Sequence, residues 1–119
     1  FLNSTSLSAG SVNATGTKAQ FAAGVEDRGN AAEFAKEVEK TGKGLADPQL
    51  VKLFAENSAM ALDWLTDHGV VFTPQPNSAF RLKRMHGCDK HTGAQYVDVL
   101  FQNAKKSVST SSSILRLLN

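Results

Sequence analysis

This chain is nearly free of cysteine and has no long apolar run. With a single thiol, Cys88, among 119 residues, no internal disulfide can form, which excludes a disulfide-stapled secreted scaffold. No stretch approaches the ~20 consecutive apolar residues needed to cross a bilayer. Phe1-Leu2 is too short to be the apolar core of a secretory signal. These absences predict a soluble protein of the cytoplasm or periplasm. Charge of one sign is also scarce: 13 basic and 11 acidic residues leave a formal net charge of +2. That is too mild to argue for nucleic acid or an anionic membrane as partner. There is no internal repeat and no initiator methionine, and the chain opens mid-pattern, as a portion of a longer protein would. The hydrophobic fraction of 41% and charged fraction of 20% fit one ordinary folded domain.

What the sequence does have is an unusual head. Asn3 to Thr17 is nearly all small or hydroxyl-bearing. Small residues let a backbone approach a bulky ligand, and hydroxyls and N–H groups bind its polar atoms. A helix follows, with its free N–H groups at the near end. The combination suggests a loop wrapped around a phosphate-bearing or flavin-like cofactor; a disordered polar terminus is the alternative.

Beyond the head, capping residues punctuate the chain. Residues 1–16 read as loop. A short helix is expected from Thr17 to Gly24, with Thr17 or Thr15 as its N-cap and Gly24 as the stop. Asn30 caps a second helix from Ala31 to about Lys40, stopped by Gly42 and Gly44. Asp47-Pro48 starts a third, running to His68, with Gly69 just past it. Its apolar stripe is Leu50, Leu53, Phe54, Met60, Ala61, Trp64 and Leu65, which predicts a core-facing side with Trp64 in the core. Val70 to Phe72 reads as a short strand or extended exit. Pro74 to Gly93 has no period and reads as loop. A fourth helix is expected from Gly93 or Thr92 through Lys106, with Tyr96, Val97, Leu100, Phe101 and Ala104 inward. Val108 to Leu118, rich in β-branched and hydroxyl residues, reads as a final strand. Such a strand needs sheet partners that these residues do not supply.

Several groupings could carry chemistry. His86-Gly87-Cys88-Asp89-Lys90-His91 gathers imidazoles, a thiol and a carboxylate, all competent zinc ligands, but its spacing fits no common zinc module. Arg81, Lys83 and Arg84 could hold a phosphate or carboxylate, or form a solvated basic face. Thr41-Gly42-Lys43-Gly44 lacks the spacing of a phosphate loop and is better read as a helix stop. Glu37, Glu39 and Glu56 have no sequence partner that would mark an acid–base pair.

The order of the motifs carries a resemblance. Thr5-x-Leu7-x-Ala9-Gly10-x-x-Asn13-Ala14-x-x-Thr17-x-x-Gln20 is followed by Gly24-Val25-x-Asp27. Then come Lys43-Gly44-x-x-Asp47-Pro48, Asn57-Ser58, Asp63-Trp64-Leu65-x-x-x-Gly69 and Arg84-Met85-His86. Over nearly its whole length the chain resembles the fumarate reductase/succinate dehydrogenase flavoprotein family. It is most similar to the soluble branch of flavocytochrome c fumarate reductases, urocanate reductases and ketosteroid dehydrogenases.

The resemblance implies an α/β fold, mostly helical in this piece. It would be part of a glutathione-reductase-type FAD-binding Rossmann domain with an incomplete sheet. Within the single partial domain 1–119, residues 1–16 would be the cofactor-side loop, 17–69 a helical insertion, 70–93 a loop, and 94–118 a helix and strand. Carried over residue by residue, the FAD contacts would be Ser4, Thr5, Ala9, Gly10 and Ser11, with a backbone contact from Ile114 on the final strand to the adenine end.

The implied activity is an FAD-dependent oxidoreductase acting on an activated C=C bond of a small unsaturated acid or an enone. The rest of the flavoprotein chain would be its partner. The pyrophosphate loop and the catalytic residues would lie outside these residues, so no catalytic residue is named and the isolated chain is expected to be inert. Departures are clear. Gly10-Ser11 stands where the family has two glycines, Ser4 where it has Asn, and Arg84-Met85-His86-Gly87-Cys88 where it has Arg-x-His-Arg-Pro. A small helical interaction module without cofactor, docking through helix 48–68, is the alternative function.

Overall fold

The structure is a computed structural model, and it describes residues 3–73, 76–79, 82–88 and 93–118. The described elements are α1 (Ser4–Leu7), β1 (Val12–Asn13), α2 (Lys18–Ala23), α3 (Ala31–Thr41), α4 (Pro48–Asp67), β2 (Asn77–Ala79), β3 (Leu82–His86) and α5 (Ala94–Leu118).

The three middle helices start and stop where their capping residues dictate. Thr17 and Gln20 form a reciprocal capping box at the start of α2, and Gly24 closes it in the left-handed conformation at φ 65°. The Asn30 side chain accepts the Glu33 N–H at the head of α3. The Asp47 side chain accepts from Gln49 and Leu50 ahead of α4, whose first residue is Pro48. Each device satisfies N–H groups that a helix start otherwise leaves open.

Four expectations are corrected. The head is not all loop. Residues 4–7 form a helical turn held by an Asn3–Ser6 capping box, and Val12–Asn13 is a strand. The segment expected as loop after Pro74 contains β2 and β3, which with β1 make an antiparallel sheet in the order β1-β3-β2. Val12 pairs with His86, Asn13 with Met85, and Asn77 with Met85. Phe72 bridges to Cys88, so the extended exit from α4 is partnered.

The third correction concerns residues 108–118, which continue α5 rather than forming a strand. No Gly or Pro follows Gly93 to stop the helix. The penalty for Val, Ser or Thr in a helix is only a few tenths of a kcal/mol each, up to ~0.7, and the Thr110 hydroxyl bonds back to the Lys106 carbonyl. Asn103 ties the helix to the end of α4 by donating to the His68 carbonyl at 2.9 Å. Farther inside the same helix, Phe101 and Ala104, expected inward, are exposed.

The fourth correction is the orientation of α4. Its buried face is Val51, Ala55, Ser58 and Leu62. The stripe expected to face the core points largely outward: Leu50 is 64% exposed, Met60 67% and Trp64 49%. Trp64 rests on His68, ring centres 4.0 Å apart. The small residues explain the choice. Ala55 and Ser58 let α4 close on α3 and on residues 14–16, and Ser58 accepts the Thr15 N–H at 3.1 Å. Gly16 sits where a Cβ would lie 3.0 Å from the Gly29 Cα, and its φ is +83°, so both crowding and backbone conformation require glycine there.

The apolar core is small: Ala14, Val25, Phe34, Val51, Ala55, Leu62 and Val70. The radius of gyration is 17.1 Å, against roughly 14 Å for a compact domain of this length. The long α5 and the uncovered side of α4 fit that excess. Among the described residues, no helix is long and apolar enough to cross a membrane.

Candidate functional site

The head of the chain is an exposed ridge held from behind. Ser4, Thr5, Ala9 and Ser11 are exposed, and Gly10 is half-buried. Sequence reasoning thus picked five residues that the structure sets close together along α1 and the turn into β1. Within the ridge, the Ser8 hydroxyl donates to the Thr5 carbonyl at 2.8 Å, closing the turn. The Gly93 N–H donates to the Ser8 carbonyl at 3.0 Å. A Cβ on Gly93 would fall onto the Thr5 carbonyl and the Ser8 hydroxyl, so the start of α5 lies directly on this turn. The hydroxyls of Ser4, Thr5 and Ser11 make no hydrogen bond among the described residues. They are free to meet the polar atoms of a ligand.

Gly10 turns the chain at φ +76°. Its carbonyl is the acceptor for the Tyr96 hydroxyl and for the Cys88 thiol at 3.6 Å. The Tyr96 ring packs on Phe72 with centres 6.1 Å apart. Burial, with the neighbouring Cys88 thiol, pushes the Tyr96 phenol above its ordinary value, so it stays protonated and donating at neutral pH. Neither role was visible in the sequence. Tyr96 and Cys88 stand far from Gly10 in the chain, and only the β3–α5 path brings them to it.

Behind the ridge lies a buried polar knot. Arg84, on β3, is fully buried. Its Nε donates to Asp27 at 3.1 Å and its Nη1 to Glu37. Its guanidinium lies 5.0 Å over the Phe34 ring. The Thr15 hydroxyl reaches Asp27 at 2.8 Å, and the Gln20 amide donates to Asp27 at 2.7 Å and to the Lys83 carbonyl at 2.9 Å. Burial raises the Asp27 carboxyl, but the bonds from Thr15 and Gln20 and the Arg84 charge outweigh it and hold the carboxyl below its usual value. Of the basic trio, Arg84 is thus an internal carboxylate clamp, Lys83 is exposed, and Arg81 lies outside the described residues. Glu37, without a legible partner in the sequence, is one half of an ion pair.

His86 is also fully buried. Its Nδ1 lies 2.8 Å from the Arg84 carbonyl and its Nε2 2.8 Å from the Thr17 hydroxyl. A carbonyl can only accept, so Nδ1 carries the proton and Nε2 accepts from Thr17. Burial lowers the His86 pKa against smaller opposing effects of the Arg84 and Val12 backbone. The imidazole is neutral and fully engaged, which removes it from the candidate zinc grouping. Asp89 and His91 lie outside the described residues.

Ile114 is not brought to the ridge. It lies in α5, ~21 residues past Gly93 and so about 30 Å along the helix axis. A helical backbone spends its N–H and C=O groups internally, which removes the strand on which an adenine contact was to rest.

The turn of small residues is thus exposed, hydroxyl-lined and tied to Tyr96, Cys88 and Gly93 through its backbone. Residues 2–116 match the FAD binding domain family. A probable fumarate reductase of Shewanella frigidimarina is 36% identical over 104 residues, 84% of this chain and 17% of that protein. A fumarate reductase (cytochrome) of the same species is 33% identical over 107 residues, with 84% and 18% covered. The structure of the open conformation of a flavocytochrome c3 fumarate reductase superposes with a TM-score of 0.75 at 36% identity, covering 84% of this chain and 18% of that one. The chain belongs to the FAD binding domain family, within the fumarate reductase-like flavoproteins, and the cofactor such a domain serves is FAD. It spans less than a fifth of the length of these relatives.

Proposed function

We propose that residues 4–11 form part of the FAD cradle of a flavin-dependent oxidoreductase. The enzyme reduces or oxidises an activated C=C bond in a small unsaturated acid or an enone. The observation that carries this reading is the exposed ridge itself, whose Ser4, Thr5 and Ser11 hydroxyls make no hydrogen bond among the described residues while its backbone is pinned at Ser8 and Gly10. FAD, when bound, supplies the hydride chemistry. This chain's residues supply orientation. The small side chains at Ala9 and Gly10 allow close approach, and the hydroxyls of Ser4, Thr5 and Ser11 offer both donors and acceptors. The polar knot at Asp27 and Arg84 keeps the following strand, β1, in one register. Related proteins bear fumarate reductase names, which supports the substrate class.

The remainder of the flavoprotein is the proposed partner, and the uncovered apolar side of α4 offers it a packing surface. The same surface is what a cofactor-free helical interaction module would use, and the test separates the two readings. Ser11→Trp, made in the full natural polypeptide carrying these residues, fills the ridge with an indole. The expected result is loss of the yellow flavin absorbance with an unchanged circular dichroism spectrum. Full FAD content in that variant would overturn the reading.

A further inference from the structure

The Gly10 carbonyl is the point on the ridge where two side chains from distant elements meet, Tyr96 from the first turn of α5 and Cys88 from just after β3. The described peptide bonds include no cis bond. A trans peptide sets its C=O and the next residue's N–H on opposite sides. With the Gly10 oxygen drawn inward to Tyr96, the Ser11 N–H is turned outward, and Ser11 is exposed. Glycine puts little restraint on this peptide's rotation, so the phenol, and not the backbone, selects the orientation.

The geometry points to Tyr96, assisted by Cys88, as a positioning residue for the bound flavin: it locks the Gly10–Ser11 peptide so that the Ser11 N–H is presented to the cofactor as a fixed donor. This rests on the reading of residues 4–11 as part of the FAD cradle. Rotating the peptide would exchange that donor for a carbonyl, an acceptor, on the cofactor side. A fixed donor favours electron density on the ring beside it, and therefore the reduced flavin. The Phe72–Tyr96 packing keeps the phenol in place, and a thiol, being a weak donor, contributes less than the hydroxyl.

The test is Tyr96→Phe in the full natural polypeptide, which keeps the ring and its packing and removes only the hydroxyl. Loss of one neutral hydrogen bond's worth of preorganisation should raise the FAD dissociation constant about two- to tenfold. The flavin midpoint potential should fall and the visible flavin band should shift. Cys88→Ala should move the same readouts in the same direction by less. A Tyr96→Phe protein with unchanged FAD affinity, flavin spectrum and potential would overturn the inference, whatever its melting temperature. A wild-type protein that takes up no FAD would overturn the cradle reading beneath it.

Discussion

The interior of this molecule mixes apolar with many polar side chains, while a row of large apolar side chains on α4 stands in solvent. Arg84, His86, Gln20, Thr17 and Asp27 are among its most deeply buried side chains, while Leu50, Met60, Trp64 and Leu45 stand in solvent. The two regions differ in what holds them. The interior knot is densely hydrogen-bonded, with Asp27 accepting from Thr15, Gln20 and Arg84, while Arg84 Nη2 has no partner among the described residues. The outer face of α4 makes few contacts and keeps its hydrophobic side chains uncovered. The contrast teaches that in this chain specificity of the fold lies largely in hydrogen bonds and charge, while much of the hydrophobic surface is left uncovered among the described residues.

Three changes would break or sharpen that contrast. The largest effect is expected from Arg84→Ala. It removes the buried ion pair to Asp27 and the bond to Glu37, and loss of one partner of a buried pair costs about 3–5 kcal/mol. Urea titration of the variant should show most of the cooperative transition gone; a midpoint near wild type would mean that the knot is dispensable.

A smaller effect is expected from acid. His86 has a lowered pKa in the fold, so the unfolded chain binds its proton more readily than the native one. Stability contributed by neutral His86 is therefore fully present above the ordinary imidazole value of about 6.5 and declines as pH falls below it. Asp27, also lowered, adds a second decline below about 3.9. Denaturant midpoints followed from pH 8 to 3 should step down twice, and His86→Gln should erase the upper step. A flat profile between pH 7 and 5 would contradict the buried neutral imidazole.

The smallest effect concerns the other region. Leu50→Lys and Met60→Lys, on the exposed side of α4, should change unfolding free energy by no more than about 0.5 kcal/mol and should improve solubility. A cost of several kcal/mol would show that this face is packed within the chain.

The sequence was legible where structure is written locally. Thr17 or Thr15, Asn30 with Glu33, and Asp47 with Pro48 each mark a helix start in the sequence, and helices begin after Thr17, Asn30 and Asp47. The candidate ridge was legible for the same reason, as a run of small and hydroxyl residues. The hairpin β2–β3 was not. In β3 the inward positions are Arg84 and His86, so the alternation is present but its buried members are polar and give no hydrophobic signal. The α4 stripe misled because periodicity reveals an apolar face without saying whether its cover belongs to the same chain. Residues 108–118 misled because β-branched composition is a weak preference when no glycine or proline interrupts a helix already under way. Asp27 with Arg84, and Gly10 with Tyr96, are pairings between distant positions that no single stretch of sequence announces.

The absence of a side chain at Gly93 has a reach beyond its own turn. Gly93, at the head of α5, abuts residues 5 and 8 with no room for a methyl group, so the long helix is seated directly on the ridge. A tilt or roll of α5 would therefore reposition the ridge with it.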